Sequence, residues 1–229
     1  MSKYHISDET KFKEGRCSKL GKDWIPWIKA FEFSSLGTRS ILIDWKTGRQ
    51  VHCLSMGERA WYLIHRWDDS ILDINEQVVL YKDSSKEVMG TTEIANKLGV
   101  RAICNGQKCT TSDFRVFHSD GSVEVVCFKA SEEAVFAPKK ERLRQRLSIE
   151  QAYWEWQERP VSWSLDYYTK QNFILADNID MVTRFFDKSK VFDDVSYLKH
   201  LIATKQIVVD MESEILCCGE MVKNGIYNK

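Results

Sequence analysis

The sequence lacks any long apolar run. No stretch approaches the ~20 apolar residues that a helix needs to cross a bilayer, and the polar residues 1–12 show no secretory pattern. The seven cysteines are odd in number and irregular in spacing, and they form no zinc pattern with two ligand pairs. We therefore expect a soluble protein of a reducing intracellular compartment, with no membrane partner.

The chain also lacks an excess of either charge, since 33 Lys and Arg balance 33 Asp and Glu. Overall charge therefore does not indicate nucleic acid. Locally, residues 16–49 hold seven basic side chains against three acidic ones, and residues 139–146 hold five against one. Such patches can bind phosphates, although a solvated surface is the commoner explanation. The candidate DNA-contacting residues are Arg16, Lys22, Lys46, Arg49, Lys139, Lys140 and Arg142.

Hydrophobic residues make up 43% of the 229-residue chain and aromatic residues 12%, which suits a packed core. The patterns of apolar residues and turns indicate an α/β core with a small α-rich tail. Strands are predicted over residues 41–54 around a turn at 46–49, and over 71–81, 161–165 and 206–210; helices are predicted from residue 55 to 67, over 91–98 and 138–158, and across 172–204.

The most informative pattern is a hairpin over residues 110–129, with its turn at Asp120. Strand side chains alternate between two faces, so pairing about Asp120 places Asp113 opposite Cys127 and on the same face as Lys129. A slip of one residue would move every side chain to the other face. The prediction therefore depends on the register of the hairpin.

A second carboxylate, Glu58, lies near the start of the helix that precedes the hairpin. Ser55 and Glu58 have the spacing of a capping box, so Glu58 is explained either as a cap or as a group that turns towards the hairpin. Asp113 likewise suits an exposed strand or turn, and Lys129 a solvated strand end. Together, two carboxylates and a lysine are the parts of a metal-dependent phosphodiesterase.

Several short motifs occur in one order along the chain. They are KEGR at residues 13–16, GKDWIPW at 21–27, KTGR at 46–49, DINEQ at 73–77, SDF at 112–114 and FK at 128–129. In this order and spacing the chain resembles the TnsA family, the endonuclease subunits of heteromeric cut-and-paste transposons, including those guided by CRISPR complexes. Asn75 stands where the family has arginine.

The resemblance implies an α/β fold with a restriction-endonuclease-like core of the PD-(D/E)xK class. In this class a mixed sheet is flanked by helices, and here a small C-terminal α-rich segment would follow. On this basis we divide the chain into an N-terminal arm (residues 1–22), a nuclease domain (23–180) and a C-terminal partner-binding segment (181–229).

The resemblance also implies a site. Glu58, Asp113 and Lys129 match the family's catalytic positions. Glu58, Asp113 and the backbone carbonyl of Phe128 would bind Mg²⁺, with Mn²⁺ as an alternative ion. Mg²⁺ prefers oxygen ligands and keeps several waters.

Two further residues take expected roles beside this site. Cys127 occupies the position at which the better-known member has glutamine. Because a thiol is a poor ligand for Mg²⁺, we expect Cys127 to be a packing residue. Glu76 is expected either to support the metal ligands from behind, the role that we favour, or to form an ion pair.

The activity implied is hydrolysis of the non-transferred strand at transposon ends. The implied partners are transposon-end DNA, the transposase TnsB and the ATPase regulator TnsC, in the bacterial cytoplasm and at the nucleoid when assembled. Two alternatives stay open. A non-catalytic DNA-binding adaptor with a nuclease fold, bridging transposase and ATPase, is suggested by Cys127. A free-standing restriction-type nuclease is the other, and the match within the N-terminal arm weighs against it.

Overall fold

The structure, a computed structural model, describes residues 6–32 and 38–225. Residues 1–5 of the predicted arm, 33–37 of the predicted nuclease domain and 226–229 of the predicted C-terminal segment lie outside the described residues. The strands are β1 (Ser40–Ile43), β2 (Gln50–Cys53), β3 (Ile71–Leu80), β4 (Thr110–His118), β5 (Val123–Phe128) and β6 (Ser162–Asp166), and the α-helices are α1 (Asp8–Lys13), α2 (Met56–Trp67), α3 (Thr91–Lys97), α4 (Glu132–Phe136), α5 (Glu141–Glu155), α6 (Lys170–Thr183), α7 (Asp194–Ala203) and α8 (Cys218–Lys223).

The main sheet has four strands in the order β3-β4-β5-β6. The pairs β3/β4 and β4/β5 are antiparallel, whereas β5/β6 is parallel. A parallel pair needs a long crossover, and α4 and α5 lie in the connection between β5 and β6. β1 and β2 form a separate antiparallel pair. The fold is therefore mixed α/β with a mixed four-stranded sheet, as predicted.

The hairpin of β4 and β5 has the predicted register. Phe114 pairs with Val126, and Phe117 pairs with Val123. Pairing about Asp120 is therefore confirmed, and Asp113 and Cys127 stand at the position that follows the Phe114–Val126 pair.

Helices cover both faces of the sheet. Ile74, Phe114 and Val126 pack into a cluster with residues of α2 and α6. On the opposite face, Val78 and Val125 pack into a second cluster with residues of α3 and α5. Val125 and Val126 are adjacent and face opposite ways, as a regular strand requires.

β3 departs from this regularity at Gln77, in addition to a register shift between Ile71 and Asp73 near its start. Ile74 and Val78 have the even spacing that places two strand residues on one face, yet they belong to opposite clusters. Between them, Gln77 has a φ of 51°, in the left-handed region that side chains other than glycine rarely adopt. The conformation of Gln77 thus accompanies a switch of the buried face midway along β3.

The segment 24–27, at the start of the predicted nuclease domain, packs onto β3 at this same position. The indole N–H of Trp24 donates to the carbonyl of Glu76 (3.1 Å), and the backbone N–H of Trp27 donates to the carbonyl of Gln77 (3.0 Å). Trp27 is completely buried. Trp24 and Trp27 therefore anchor this segment to β3.

Two of the predicted helical regions differ from the prediction. The helix expected over residues 138–158 begins with a 3-10 turn at Pro138–Lys140 and continues as α5, while α4, which was not predicted, precedes it. Pro138 separates α4 from α5 because it lacks the N–H that a continuous helix would need. The region 172–204 forms α6 and α7, with Asp193 capping the second.

The strand predicted over residues 206–210 was wrong. Ile207 and Val209 pack against the first cluster, but Val208 is 90% exposed, and the segment pairs with no other strand among the described residues. The prediction was based on three consecutive apolar residues, but a strand is also stabilised by hydrogen bonds to a paired strand. Within the described ranges, no helix combines the length and apolar character needed to cross a membrane.

Candidate active site

The end of the hairpin brings Asp113 and Lys129 into contact. The Lys129 Nζ lies 3.2 Å from Asp113 Oδ2, and the same oxygen accepts the backbone N–H of Phe128 at 2.8 Å. The predicted juxtaposition is therefore confirmed. Asp113 is held by β5 through both a main-chain and a side-chain donor, which fixes one edge of its carboxylate.

Lys129 makes two further contacts. Its Nζ lies 2.8 Å from Cys127 Sγ and donates to the carbonyl oxygen of Phe128 at 2.7 Å. Burial disfavours the charged form of Lys129, but the neighbouring Asp113, Cys127 and Glu150 outweigh burial and raise its pKa. Lys129 therefore carries its positive charge throughout the ordinary pH range.

Cys127 is almost fully buried and packs with Val135 and Leu147. Burial raises the pKa of its thiol, and the charges of Glu150 and Asp113 raise it further. The thiol is therefore neutral where it meets the Lys129 ammonium. This position agrees with the expectation of a packing role; that Cys127 binds no metal stays a prediction.

Glu58 enters the site from the first turn of α2. Its Oε2 accepts the backbone N–H of Leu54 (2.9 Å), and its Oε1 accepts the hydroxyl of Ser55 (3.1 Å). Ser55 in turn accepts the backbone N–H of Glu58, so the pair caps α2. Capping and a place in the site are thus compatible, because the same carboxylate also borders the cavity that Asp113 lines.

The electrostatics of Glu58 link it to Asp113. Burial, followed by the negative charge of Asp113, raises the pKa of Glu58 to about 8. A carboxyl group with such a pKa is mostly protonated at pH 7. The repulsion between the two carboxylates is the kind that a bound cation would relieve.

A third carboxylate, Glu150 of α5, was missed by the sequence reasoning. It is buried and accepts the indole N–H of Trp163 at 3.3 Å. Burial, followed by the charge of Asp113, raises its pKa to about 7. A detectable signal did exist: Leu143, Leu147, Glu150 and Trp154 follow the spacing of one helix face, so an acid occupies a core-facing position.

These residues surround a cavity of about 260 Å³. Its polar walls hold three carboxylates and two cations, so a phosphodiester entering it would meet net negative charge when all are ionised. The residues that line it are Ile28, Leu54, Glu58, Gln77, Ile103, Thr110, Thr111, Asp113, Lys129, Leu143, Arg146, Leu147 and Glu150.

The donor set fits a hard divalent cation. Among the described residues no cluster of three or more His, Cys, Asp or Glu side chains is arranged to hold a metal. Mg²⁺ does not require one, because it is usually bound by one or two carboxylates and completes its shell with water. Glu58 and Asp113, facing one polar cavity, meet that requirement. The Phe128 carbonyl, the third ligand expected, already accepts from Lys129.

Of the two roles expected for Glu76, the structure shows the ion pair and not the favoured one behind the metal ligands. Its carboxylate is fully buried, pairs with Arg49 at 2.8 Å and accepts the backbone N–H of His52. Gln77 lines the cavity instead, and its side chain donates to Glu58. The sequence analysis did not single out Gln77, because nothing in the pattern of residues 71–81 marks its left-handed backbone.

Two of the predicted DNA-contacting residues are also corrected. Arg16 and Arg49 are buried, Arg16 in an ion pair with Glu32 (2.6 Å) and Arg49 in the pair with Glu76. Neither guanidinium is available to a phosphate.

The other five lie nearer the surface. Arg142 is half-buried and donates to the carbonyls of Arg101 and Ala102. Lys46 pairs with Asp69 at 3.5 Å. Lys22, Lys139 and Lys140 are exposed, and their contact with DNA stays a prediction.

Comparison with known proteins gives one informative relative. No protein-family model matches the chain. Over 170 residues the chain is 31% identical to the transposon Tn7 transposition protein TnsA of Escherichia coli, a match that covers 74% of this chain and 59% of that protein. The chain thus spans less than two thirds of the length of its relative. The chain is a TnsA-like protein.

Proposed function

We propose that the chain is a metal-dependent DNA endonuclease subunit of a heteromeric transposase, hydrolysing the non-transferred strand at transposon ends. The observation that carries the proposal is the convergence of Glu58, Asp113 and Lys129 on one polar cavity. The relationship to TnsA supports the setting, namely transposition. A nuclease core of the PD-(D/E)xK class is part of the same proposal.

Each residue has a role that follows from its surroundings. Glu58 and Asp113 would hold a divalent cation, Mg²⁺ or Mn²⁺. When bound, such an ion neutralises phosphate charge and lowers the pKa of a water nucleophile. Lys129, kept charged by Asp113 and Glu150, would bind a phosphate oxygen or orient the attacking water. Glu150 would act through Lys129 by maintaining its charge and position.

The proposed partners are transposon-end DNA, the transposase TnsB and the ATPase regulator TnsC. Lys139 and Lys140 precede α5, the helix that presents Arg146 and Glu150 to the cavity. A duplex whose phosphate enters the cavity would pass near the start of this helix. Lys139 and Lys140 are exposed, and of the candidate DNA contacts they are the ones that we place closest to the bound duplex.

The test uses the full chain assembled with its partner subunits on end DNA. Asp113→Ala should abolish cutting of the non-transferred strand, while joining of the other strand by the partner transposase persists. Asp120→Ala, a carboxylate in the exposed turn of the same hairpin, is the matched control and should cut normally. If Asp113→Ala still cuts the non-transferred strand as the unsubstituted chain does, the proposed function is refuted.

A second candidate, a non-catalytic DNA-binding adaptor, is favoured by one observation. Cys127 places a neutral thiol against Lys129 where an oxygen ligand would suit a metal better. An adaptor would show no metal-dependent cutting with its partners present, and substituting glutamine or glutamate for Cys127 would not create any. Cutting that requires Mg²⁺ and is abolished in Asp113→Ala would exclude it.

A further inference from the structure

Gln77 combines three features that no single structural requirement explains. It lies within β3, it has a left-handed backbone, and its side chain is 1% exposed although it lines the cavity. The ladder with β4 continues on both sides in one register, since Glu76 pairs with Phe114 and Val78 with Ser112. The left-handed backbone of Gln77 is therefore accommodated without a change of register, at the position that stands across from Asp113.

A left-handed conformation at a residue other than glycine is unfavourable and persists only where the surroundings enforce it. Here the segment 24–27 does so. Trp27 donates its backbone N–H to the Gln77 carbonyl, and Trp24 donates its indole N–H to the preceding carbonyl of Glu76. The carbonyls of Glu76 and Gln77 are thus hydrogen-bonded by the segment 24–27.

The side chain bridges two walls of the cavity. Its amide Nε2 donates to Glu58 Oε2 at 3.1 Å, and its Oε1 accepts the hydroxyl of Thr111 at 3.0 Å. The amide nitrogen is the end of the side chain that can donate, and it donates to the Glu58 carboxyl. The Thr111 hydroxyl donates to the other end, so both ends of the amide are hydrogen-bonded.

We propose that Gln77 is the positioning residue for Glu58, holding its carboxylate at the cavity that Asp113 lines, where a divalent cation would bind. The inference rests on the proposed function and deepens it. Leu54 and Ser55 bind the Glu58 carboxylate from the helix side only. Gln77 is the contact that joins Glu58 to the sheet carrying Asp113, and it thereby sets the separation of the two carboxylates.

The experiment measures metal affinity rather than cutting. Binding of Mn²⁺ to the full chain is followed by electron paramagnetic resonance of the free ion. Gln77→Met keeps the length of the side chain but has no amide, and it should weaken Mn²⁺ binding by about 10- to 100-fold, the loss usual when a residue that supports a metal ligand is removed. Gln77→Gly should show the same loss.

Comparing Gln77→Met with Gln77→Gly distinguishes the effect of losing the amide group from the effect of the left-handed backbone on stability. Glycine adopts positive φ without strain, so Gln77→Gly should unfold at no lower denaturant concentration than Gln77→Met. If neither Gln77 variant folds, Thr111→Val replaces them in the experiment. It removes only the hydroxyl that donates to the Gln77 amide oxygen, so it should weaken Mn²⁺ binding less than the Gln77 variants. Gln50→Met, an exposed glutamine of β2, is the matched control and should bind as the unsubstituted chain does.

The outcomes are distinct. Unaltered Mn²⁺ affinity in folded Gln77→Met and Gln77→Gly would overturn the inference while leaving the proposed function standing. Absence of Mn²⁺ binding by the unsubstituted chain, with partners and end DNA present, would overturn the proposed function itself and this inference with it.

Discussion

The ammonium nitrogen of Lys129 lies 2.8 Å from the sulfur of Cys127 at the end of β5. The sulfur belongs to a neutral thiol because burial raises the pKa of Cys127. The lysine charge is therefore balanced chiefly by Asp113, 3.2 Å away, and by Glu150. Cys127 shapes the site through packing.

The first prediction concerns the size of this residue. Cys127 is enclosed by Val135 and Leu147, so Cys127→Gln should overpack the site and lower the free energy of unfolding by about 1–3 kcal/mol. Cys127→Ser, of similar volume and still able to contact Lys129, should cost less. Urea denaturation of the two variants measures the difference. Equal stability of Cys127→Gln and the unsubstituted protein would show that the site has room for a longer ligand.

The second prediction concerns Glu150. Glu150→Gln preserves volume but removes one of the charges that hold Lys129 protonated, and cutting of end DNA should slow by about 10-fold or more. Glu141→Gln, at the exposed start of α5, is the control. The rate is measured on the assembled complex under single-turnover conditions. If both variants cut alike, Glu150 serves only the fold.

The third prediction follows from the titration of Glu58. Its pKa of about 8 in the metal-free fold exceeds the value of about 4.3 for an unfolded glutamate. Between these values the folded state binds more protons than the unfolded state, so the free energy of unfolding falls as pH rises. The contribution is fully present below the unfolded value and has disappeared by the time the pH passes the folded one.

Urea denaturation in the presence of a chelator tests this dependence. The unsubstituted protein should lose stability between about pH 5 and about pH 8 more steeply than Glu58→Gln, which does not titrate there. Glu150, whose pKa is about 7, contributes in the same direction and should leave a residual slope in that variant. Parallel slopes for the two proteins would contradict the raised pKa of Glu58.

The fourth prediction separates buried from exposed cations. Arg49→Met breaks the buried pair with Glu76 and should cost about 3–5 kcal/mol of stability, since it leaves a buried carboxylate unpaired. Normal stability of Arg49→Met in urea denaturation would make Arg49 a candidate DNA contact again.

The exposed lysines before α5 should behave differently. The double variant Lys139→Ala, Lys140→Ala should unfold normally. Its DNA binding should depend less steeply on salt concentration, by about one unit of slope for each phosphate that is no longer bound.

Several elements of the site were predictable because they depend on local rules. The turn at Asp120 set the register of the hairpin, and alternation along two paired strands then placed Asp113 with Lys129. The spacing of Ser55 and Glu58 likewise predicted the start of α2. Both are short-range relationships, and the nearest neighbours in the chain suffice to determine them.

The sequence by itself thus determined the α/β character, the hairpin register and the pairing of an acid with a lysine. Only the tertiary structure decided which glutamates belong to the site. Glu76 is paired with the buried Arg49, whereas Gln77 and Glu150 line the cavity. The reason is physical: the face that β3 presents changes at Gln77, where bonds from the distant Trp24 and Trp27 accompany a backbone conformation that no local pattern encodes.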